Sequence, residues 1–512
     1  MNLMSIFPQW IIEQGPAFLI VLPLLMGAVT AVIPNKGMAW WVTFFVTIIC
    51  TYTAFSLFQH VYFDSFLLYT MGGWNPPHGI SLIVDGLSAP ILLLISVMAV
   101  LTVIYALPAS ISEIEPKKRA PFYAAFLICF AGLMGMVITG DAFNVFVFLE
   151  VSSISTYALV AMGAARDRRS LAAAYNYLIM GSIGATFFVI GLGFLFMETG
   201  TLNMAEMSDI LSELDGGSRV SKVGYGFIIV GLGLKIAMFP LHTWLPRAYA
   251  YAPTKITIFL ASTATKAAIY LLLRFTFTVF DPSFDYIAIM LKYLIMGVAI
   301  VGMAFASFQA IFQSDVRRVL AYSSVAQVGY ILLGIGIATS SGLAAGYLHL
   351  LNHAVIKGCL FISVGAFWYR FGITRVNDFS GLFKTMPLTM GAFTLGGLSL
   401  IGVPFTAGFV SKVKLILAAA EQEMWWAVLV IVFSSVLAIV YIGRIIMAAY
   451  FGSPPKINGS TFTKNEAPFM MLFPMWVLGL MSIAIGLNAF GIGDTFVSAS
   501  EIAASVLLGG RG

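Results

Sequence analysis

Nine ionisable side chains interrupt stretches that are otherwise oil-like: Glu150, Lys235, Lys266, His349, His353, Lys357, Lys412, Lys414 and Arg444. A charge at mid-membrane costs about 2.5–3.5 kcal/mol, so ionisable groups there line a path, pair with one another, or snorkel from a helix end. Glutamate, lysine and histidine can all carry a proton. In an apolar medium a carboxyl holds its proton more tightly and an amine less so, and a nearby opposite charge reverses both. A Glu–Lys pair whose separation changes is therefore a proton switch, and Glu150 with Lys235 is the expected pair. His349, His353 and Lys357 in YLHLLNHAVIK follow i, i+4, i+8 spacing, which sets them on one helix face over about 12 Å. Neutral histidines accept and donate, so this stripe can relay a proton sideways. The HxxxH spacing would also suit a metal. With a lysine on the same face and no third ligand evident, no metal is expected. Hydrogen-bonded core histidines are the competing reading for the stripe, and a salt bridge or a snorkelling end is the competing reading for Lys414 and Arg444.

Two of these lysines lie beside helix breakers. The segment GLGLKIAMFPLHTWLP, Gly231–Pro246, places Pro240 just after Lys235. Pro240 cannot donate to the carbonyl of Ile236, so the helix should break there. In lipid such breaks are tolerated only against protein or a watery cavity, and a carbonyl-ended half-helix favours a cation. The segment IGVPFTAGFVSKVKL, Ile401–Leu415, repeats the device with Pro404 ahead of Lys412. The GLGL run lies inside an apolar span with no strand before it and is no nucleotide loop.

The elements that hold these residues follow from composition. Of 512 residues, 60% are hydrophobic and 10% charged, under half the charged share of a soluble chain. A crossing helix needs about 20 apolar residues, and the apolar runs predict an all-α polytopic membrane protein of about 14 transmembrane helices. The expected spans are 17–34, 38–58, 80–107, 121–139, 142–163, 171–197, 224–249, 253–275, 284–312, 316–338, 342–370, 387–417, 425–450 and 468–490. The first reads as a span and not a cleaved signal, because Glu13 stands where a basic leader would be. The net charge of +5 is too small and scattered for nucleic-acid binding. Cys50, Cys129 and Cys359 have no spacing for zinc or an iron–sulfur cluster, so no cofactor is expected, and any redox chemistry belongs to a partner.

Loops after odd-numbered spans hold sixteen basic residues and loops after even-numbered spans hold four: Arg219, Lys222, Arg274 and Lys292. The odd set is Lys36, Lys117, Lys118, Arg119, Arg166, Arg168, Arg169, Arg247, Lys255, Arg317, Arg318, Arg370, Arg375, Lys384, Lys456 and Lys464. By the positive-inside rule the odd loops face the cytoplasm, with both termini outside. Tyr157 and Tyr330 differ by 173 positions, Lys235 and Lys412 by 177, and Lys266 and Arg444 by 178. These offsets predict two five-helix repeats, the second inverted because five is odd, with Ser323 where the first has Glu150. The expected division is 1–120 for helices 1–3, 121–283 for repeat one (helices 4–8), 284–451 for repeat two (helices 9–13), and 452–512 for helix 14 and the tail.

GDAFNVFVFLE (Gly140–Glu150), the Lys235 broken helix, STATK ending at Lys266, the His349/His353/Lys357 stripe and GFVSK ending at Lys412 together resemble the antiporter-like subunits of respiratory complex I and Mrp-type cation/proton antiporters. The resemblance covers nearly the whole chain. It implies fourteen helices, two inverted five-helix repeats and broken helices seven and twelve. It also implies a proton path in which Glu150 and Lys235 are the coupling pair and Lys266 the next carrier. In that path His349, His353 and Lys357 are the central relay and Lys412 is the terminal lysine. Asp141, His242 and Arg444 are accessory candidates. The GDxFNxFVFxE wording is most similar to D-type Mrp subunits. Lys412 departs from the M-type pattern, which has glutamate there, and the tail after span fourteen leaves no room for the lateral helix of L-type subunits. The implied function is proton translocation in exchange for sodium or another monovalent cation, within a hetero-oligomer of hydrophobic subunits in a prokaryotic inner membrane. The competing implication is a pumping subunit of a complex I-like oxidoreductase or membrane-bound hydrogenase, in which case this chain, with no redox site of its own, serves an enzyme.

Overall fold

A computed structural model describes residues 8–33, 36–63, 66–453 and 465–509. Pro34, at the end of the first expected span, and the basic residues Lys456, Lys464 and Arg511 lie outside the described residues, as does the side chain of Lys36.

Apolar runs of this length satisfy their backbone groups in lipid as helices, and helices dominate the chain. The first are α1 (Gln9–Val32), α2 (Lys36–Phe63), α3 (Ala89–Glu113), α4 (Arg119–Ile138), α5 (Ala142–Ala161) and α6 (Arg169–Thr199). A short amphipathic helix, α7 (Met204–Glu213), precedes α8 (Arg219–Ile236), α9 (Leu245–Tyr251), α10 (Thr254–Ser262) and α11 (Ala264–Arg274). Next come α12 (Asp285–Ile289), joined by a π-helical stretch to α13 (Met296–Ile311), then α14 (Val316–Ile337) and α15 (Ser340–Phe371). The last are α16 (Pro387–Ile401), α17 (Ala407–Glu421), α18 (Trp425–Phe451), α19 (Phe469–Leu487) and α20 (Ile492–Leu507).

Among the described residues, twelve crossings are helices long and apolar enough to span a membrane by themselves. The pairs α8–α9 and α16–α17, each parted by non-helical residues, supply the seventh and twelfth and complete the fourteen expected. One correction concerns residues 80–88, expected at the head of the third span. They hold strand β2 (Ser81–Val84), which pairs antiparallel with β1 (Leu67–Thr70), and a turn, so the fold is not purely helical. That short strand is as apolar as a helix end, and hydropathy alone does not separate the two.

Two cavities report the parity of the loops. One, of about 280 Å³, is lined by Glu113, Arg166, Tyr251, Arg317 and Gly372, at or beside the loops after crossings 3, 5, 7, 9 and 11. The other, of about 850 Å³, is lined by Phe66, Thr139, Asp209 and Asp281, from the loops after crossings 2, 4, 6 and 8. The arginine-rich loops therefore gather on one face, called the basic face below.

The repeat is visible in paired details. Asp141 caps α5 by accepting from Asn144 N at 2.7 Å, and Asp315 caps α14 by accepting from Arg317 N at 2.9 Å. Each also forms an isolated antiparallel bridge, Asp141 with Asn203 and Asp315 with Arg375. The Asp141 cap stands beside Thr139, and the Asp315 cap precedes Arg317 on the basic face. The two caps thus sit on opposite faces, as inversion requires. Helix α15 runs through the centre, buried along its apolar length and packed on α3, α10, α14, α16, α17 and α19.

Candidate functional site

The first of the sequence-marked residues meet between α5 and the end of α8. Glu150 Oε1 lies 3.9 Å from Lys235 Nζ, and that ammonium also donates to Ser153 Oγ at 2.5 Å. This carboxylate oxygen has no hydrogen-bond donor among the described residues, and the Glu150 side chain is 24% exposed on the flank of α5 that also exposes Phe143, Val147 and Ile154. Helix α8 ends at Ile236, one residue after Lys235, and Ala237 takes a left-handed conformation (φ 60°). The break therefore begins three residues before Pro240, and Lys235 occupies the carbonyl end of its half-helix. A space of about 30 Å³ lined by Lys235, Ser153, Thr156, Ala264 and Ala268 separates it from α11, room for a water between polar groups.

Lys266 sits beyond a second interruption, one the sequence does not announce. Thr263 (φ −126°, ψ −56°) parts α10 from α11, and Lys266 Nζ turns back to donate to Ala261 O at 2.5 Å. Lys266 is fully buried and interacts electrostatically with His349, His353 and Lys357 of α15. The stripe itself is uneven. His349 is held at both ring nitrogens, Nδ1 2.9 Å from Ser411 Oγ and Nε2 2.8 Å from Gln327 Oε1. His353, its ring parallel to that of His349 at 6.5 Å, has no hydrogen-bond partner at either nitrogen among the described residues. Lys357 donates to Leu320 O at 2.8 Å and Ser323 Oγ at 2.5 Å. Ser323, the position matched to Glu150 by offset, thus receives a lysine.

Lys412 ends the series. Its ammonium donates to Leu400 O at 3.0 Å and Ile401 O at 2.9 Å, the last carbonyls of α16, and to Ser435 Oγ at 3.1 Å. The Tyr330 ring lies 4.8 Å away. Gly402 (φ 91°) and Phe405 (φ 69°) shape the break around Pro404. Lys235, Lys266 and Lys412 therefore each sit at the carbonyl end of a half-helix, where the helix dipole places about half a negative charge. Lys235 belongs to the half before its break and Lys412 to the half after, so their sequence offset matches environments and not helix positions.

The accessory candidates fall elsewhere. Asp141 is the α5 cap already described. His242 is buried in the break of crossing seven against Phe239, Phe305 and Tyr322, with Nδ1 unpartnered among the described residues. Arg444 donates to Ile311 O at 2.5 Å and to Gln313 O, closing the end of α13. Lys414 forms a largely exposed ion pair with Glu501 at 3.2 Å.

Two residues counted as loop charges require correction. Lys255 is fully buried in α10, donating to Ser110 Oγ at 2.8 Å, and Arg274 is buried in α11, bidentate to Asp85 at 2.7 and 2.8 Å. Both stand at helix ends, where span boundaries read from hydropathy are loosest, and their partners are remote in sequence. The polar partners Ser153, Gln327, Ser411 and Ser435 carry no charge or motif in the sequence. Polar residues in spans otherwise rich in Leu and Ile are the signal that marks them.

Fourteen crossings in two inverted repeats, with buried amines seated on broken helices, define a multi-pass membrane protein of the ion-translocating kind. Residues 139–438 match the family described as NADH:quinone oxidoreductase/Mrp antiporter, TM, and the chain belongs to that family. It is 42% identical over 429 residues to the N-type NADH-quinone oxidoreductase subunit of Desulforudis audaxviator (82% of this chain, 84% of that one). It is 31% identical over 435 residues to the D-type Na(+)/H(+) antiporter subunit of Alkalihalophilus pseudofirmus (84% of each). Its fold is similar to a chain of the Mrp complex from Dietzia sp. DQ12-45-1b, with TM-score 0.87 and 27% identity over 97% of each chain. It is also similar to a chain of the membrane-bound sulfane sulfur reductase, an archaeal respiratory membrane complex, with TM-score 0.86 and 32% identity over 97% of this chain and 100% of that one.

Proposed function

We propose that this chain is the proton-translocating subunit of a multi-subunit monovalent cation/proton antiporter, sodium being the expected cation. Protons move along Glu150, Lys235, Lys266, Lys357, His353, His349 and Lys412. The observation that carries this reading is the placement of three lysines at half-helix carbonyl ends, with the Lys266 and Lys412 ammoniums donating to those carbonyls, joined through the buried α15 stripe. Lys266 and Lys412 are stabilised as cations by half-helix carbonyls with no carboxylate beside them among the described residues, and Lys235 by Ser153 and the loose 3.9 Å contact to Glu150, so none has its proton locked in place. Moving one charge through 100 mV is worth about 2.3 kcal/mol, so small rearrangements of such sites couple to a membrane gradient. The positive-inside rule places the basic face in the cytoplasm and both termini outside. The flank of α5 that exposes Glu150 is where a neighbouring hydrophobic subunit would cover the charge.

Similarity to a quinone oxidoreductase subunit and to a sulfane sulfur reductase chain supports a second reading, a pumping subunit powered by redox chemistry in its partners. Purified complex in liposomes separates them. Sodium-dependent proton movement without an electron donor supports the antiporter, and an absolute need for a donor supports the pump. Lys235→Ala and Lys412→Ala variants that assemble and transport at the parent rate would overturn both.

A further inference from the structure

The basic-face cavity of about 280 Å³ opens on a buried cluster that the path above leaves unused. Glu113, at the end of α3 and 4% exposed, lines the cavity together with Arg166, Asp167, Arg169 and Arg317. Arg166 donates to Glu113 Oε1 at 3.1 Å while its guanidinium stacks on Trp368. On its buried side Glu113 accepts from Thr254 N at 3.1 Å and Thr254 Oγ1 at 2.5 Å, and Tyr105 OH lies 3.0 Å from that hydroxyl. The next residue, Lys255, is fully buried. Its ammonium donates to Ser110 Oγ, which lies 2.8 Å from Tyr123 OH, and rests 4.4 Å over the Phe122 ring. Among the described residues no carboxylate lies within ion-pair distance of that amine.

Glu113 also occupies a special place relative to the path. Thr254 is the first residue of α10, so this carboxylate from α3 satisfies a free N–H at the positive end of a nine-residue half-helix. The other end of α10, about 13 Å away, is where Lys266 takes Ala261 O. The charge on Glu113 therefore sets the field at one end of a short dipole whose opposite end holds a carrier lysine.

We propose that Glu113 and Lys255 form a proton-loading site on the basic face, fed from the cavity beside Arg166 and acting on Lys266 through half-helix α10. Glu113 takes the proton from cavity water, which releases Arg166, and Lys255 is the amine that receives it on the buried side. This site rests on the proton-path reading, to which it adds an inlet.

The test uses the whole complex in vesicles that present the basic face to the medium. Glu113→Gln and Lys255→Met are compared with the parent and with Lys412→Ala across a series of external pH values. The expected result is slowed proton movement per assembled complex in both variants, with the pH of half-maximal rate moved by about one unit, a tenfold change in proton affinity. Parent-like rate and pH profile in both variants, with Lys412→Ala inactive, overturn the inlet and leave the path standing. Parent-like behaviour of Lys412→Ala as well overturns the path itself. A purely structural role would lower the yield of complex without moving the pH profile, and that result also overturns the inlet. If Glu113→Gln does not assemble, the Lys255→Met profile decides alone.

Discussion

Lys412 Nζ reaches across the break in the twelfth crossing to Ile401 O at 2.9 Å, so the side chain proposed as a proton carrier also closes a half-helix. Arginine at this position keeps the charge and the donors but does not release its proton in a protein. Lys412→Arg is therefore expected to assemble and denature like the parent while transport is lost, and Lys412→Ala to lose both transport and thermal stability. Vesicle transport and thermal unfolding of the purified complex check the split.

Glu150 Oε1 has no hydrogen-bond donor among the described residues and makes only the long contact to Lys235. Glu150→Gln should leave assembly and melting temperature unchanged, since a loose, partly exposed pair contributes little to stability. Proton movement should nonetheless fall by about a hundredfold, the scale on which a positioned acid or base acts. Initial rates in reconstituted vesicles measure this.

The two histidines of α15 should part company. His349→Leu takes from Gln327 Oε1 its imidazole partner and is expected to cost about 1–3 kcal/mol, the penalty for a buried unpaired polar group. His353→Leu strands nothing and should be neutral in denaturation, yet it should still stop transport. Paired melting and transport measurements distinguish this from two interchangeable core histidines.

Arg444 closes the carbonyl end of α13 and touches none of the carriers' partners. Arg444→Met should lower thermal stability by about 1–3 kcal/mol, with transport per assembled complex at the parent level. Loss of specific transport at unchanged stability would instead return Arg444 to the path.

Gly408 is the close-approach point of the twelfth crossing. A Cβ there would stand 1.9 Å from Ser399 O, so Gly408→Ala must push α17 off α16 and draw Lys412 away from Leu400 and Ile401. Both melting temperature and transport should fall together, and Ser399→Ala, which leaves that carbonyl in place, should not rescue either.

What the chain of residues determined by itself was the membrane architecture and the inventory of candidate carriers. Apolar run length sets the number of crossings, prolines mark the breaks at the seventh and twelfth, and charge in an apolar run stands out wherever it occurs, because hydropathy is a local property. Only the tertiary structure decided which of those charges are seated, on what, and which others belong with them. The break at Thr263 contains neither proline nor glycine, and the Lys266 ammonium bonds across it. Lys255 and Arg274 look like loop cations until Ser110 and Asp85, 145 and 189 residues away, are brought against them. A buried charge is defined by partners that other helices deliver, and chain separation carries no record of that delivery.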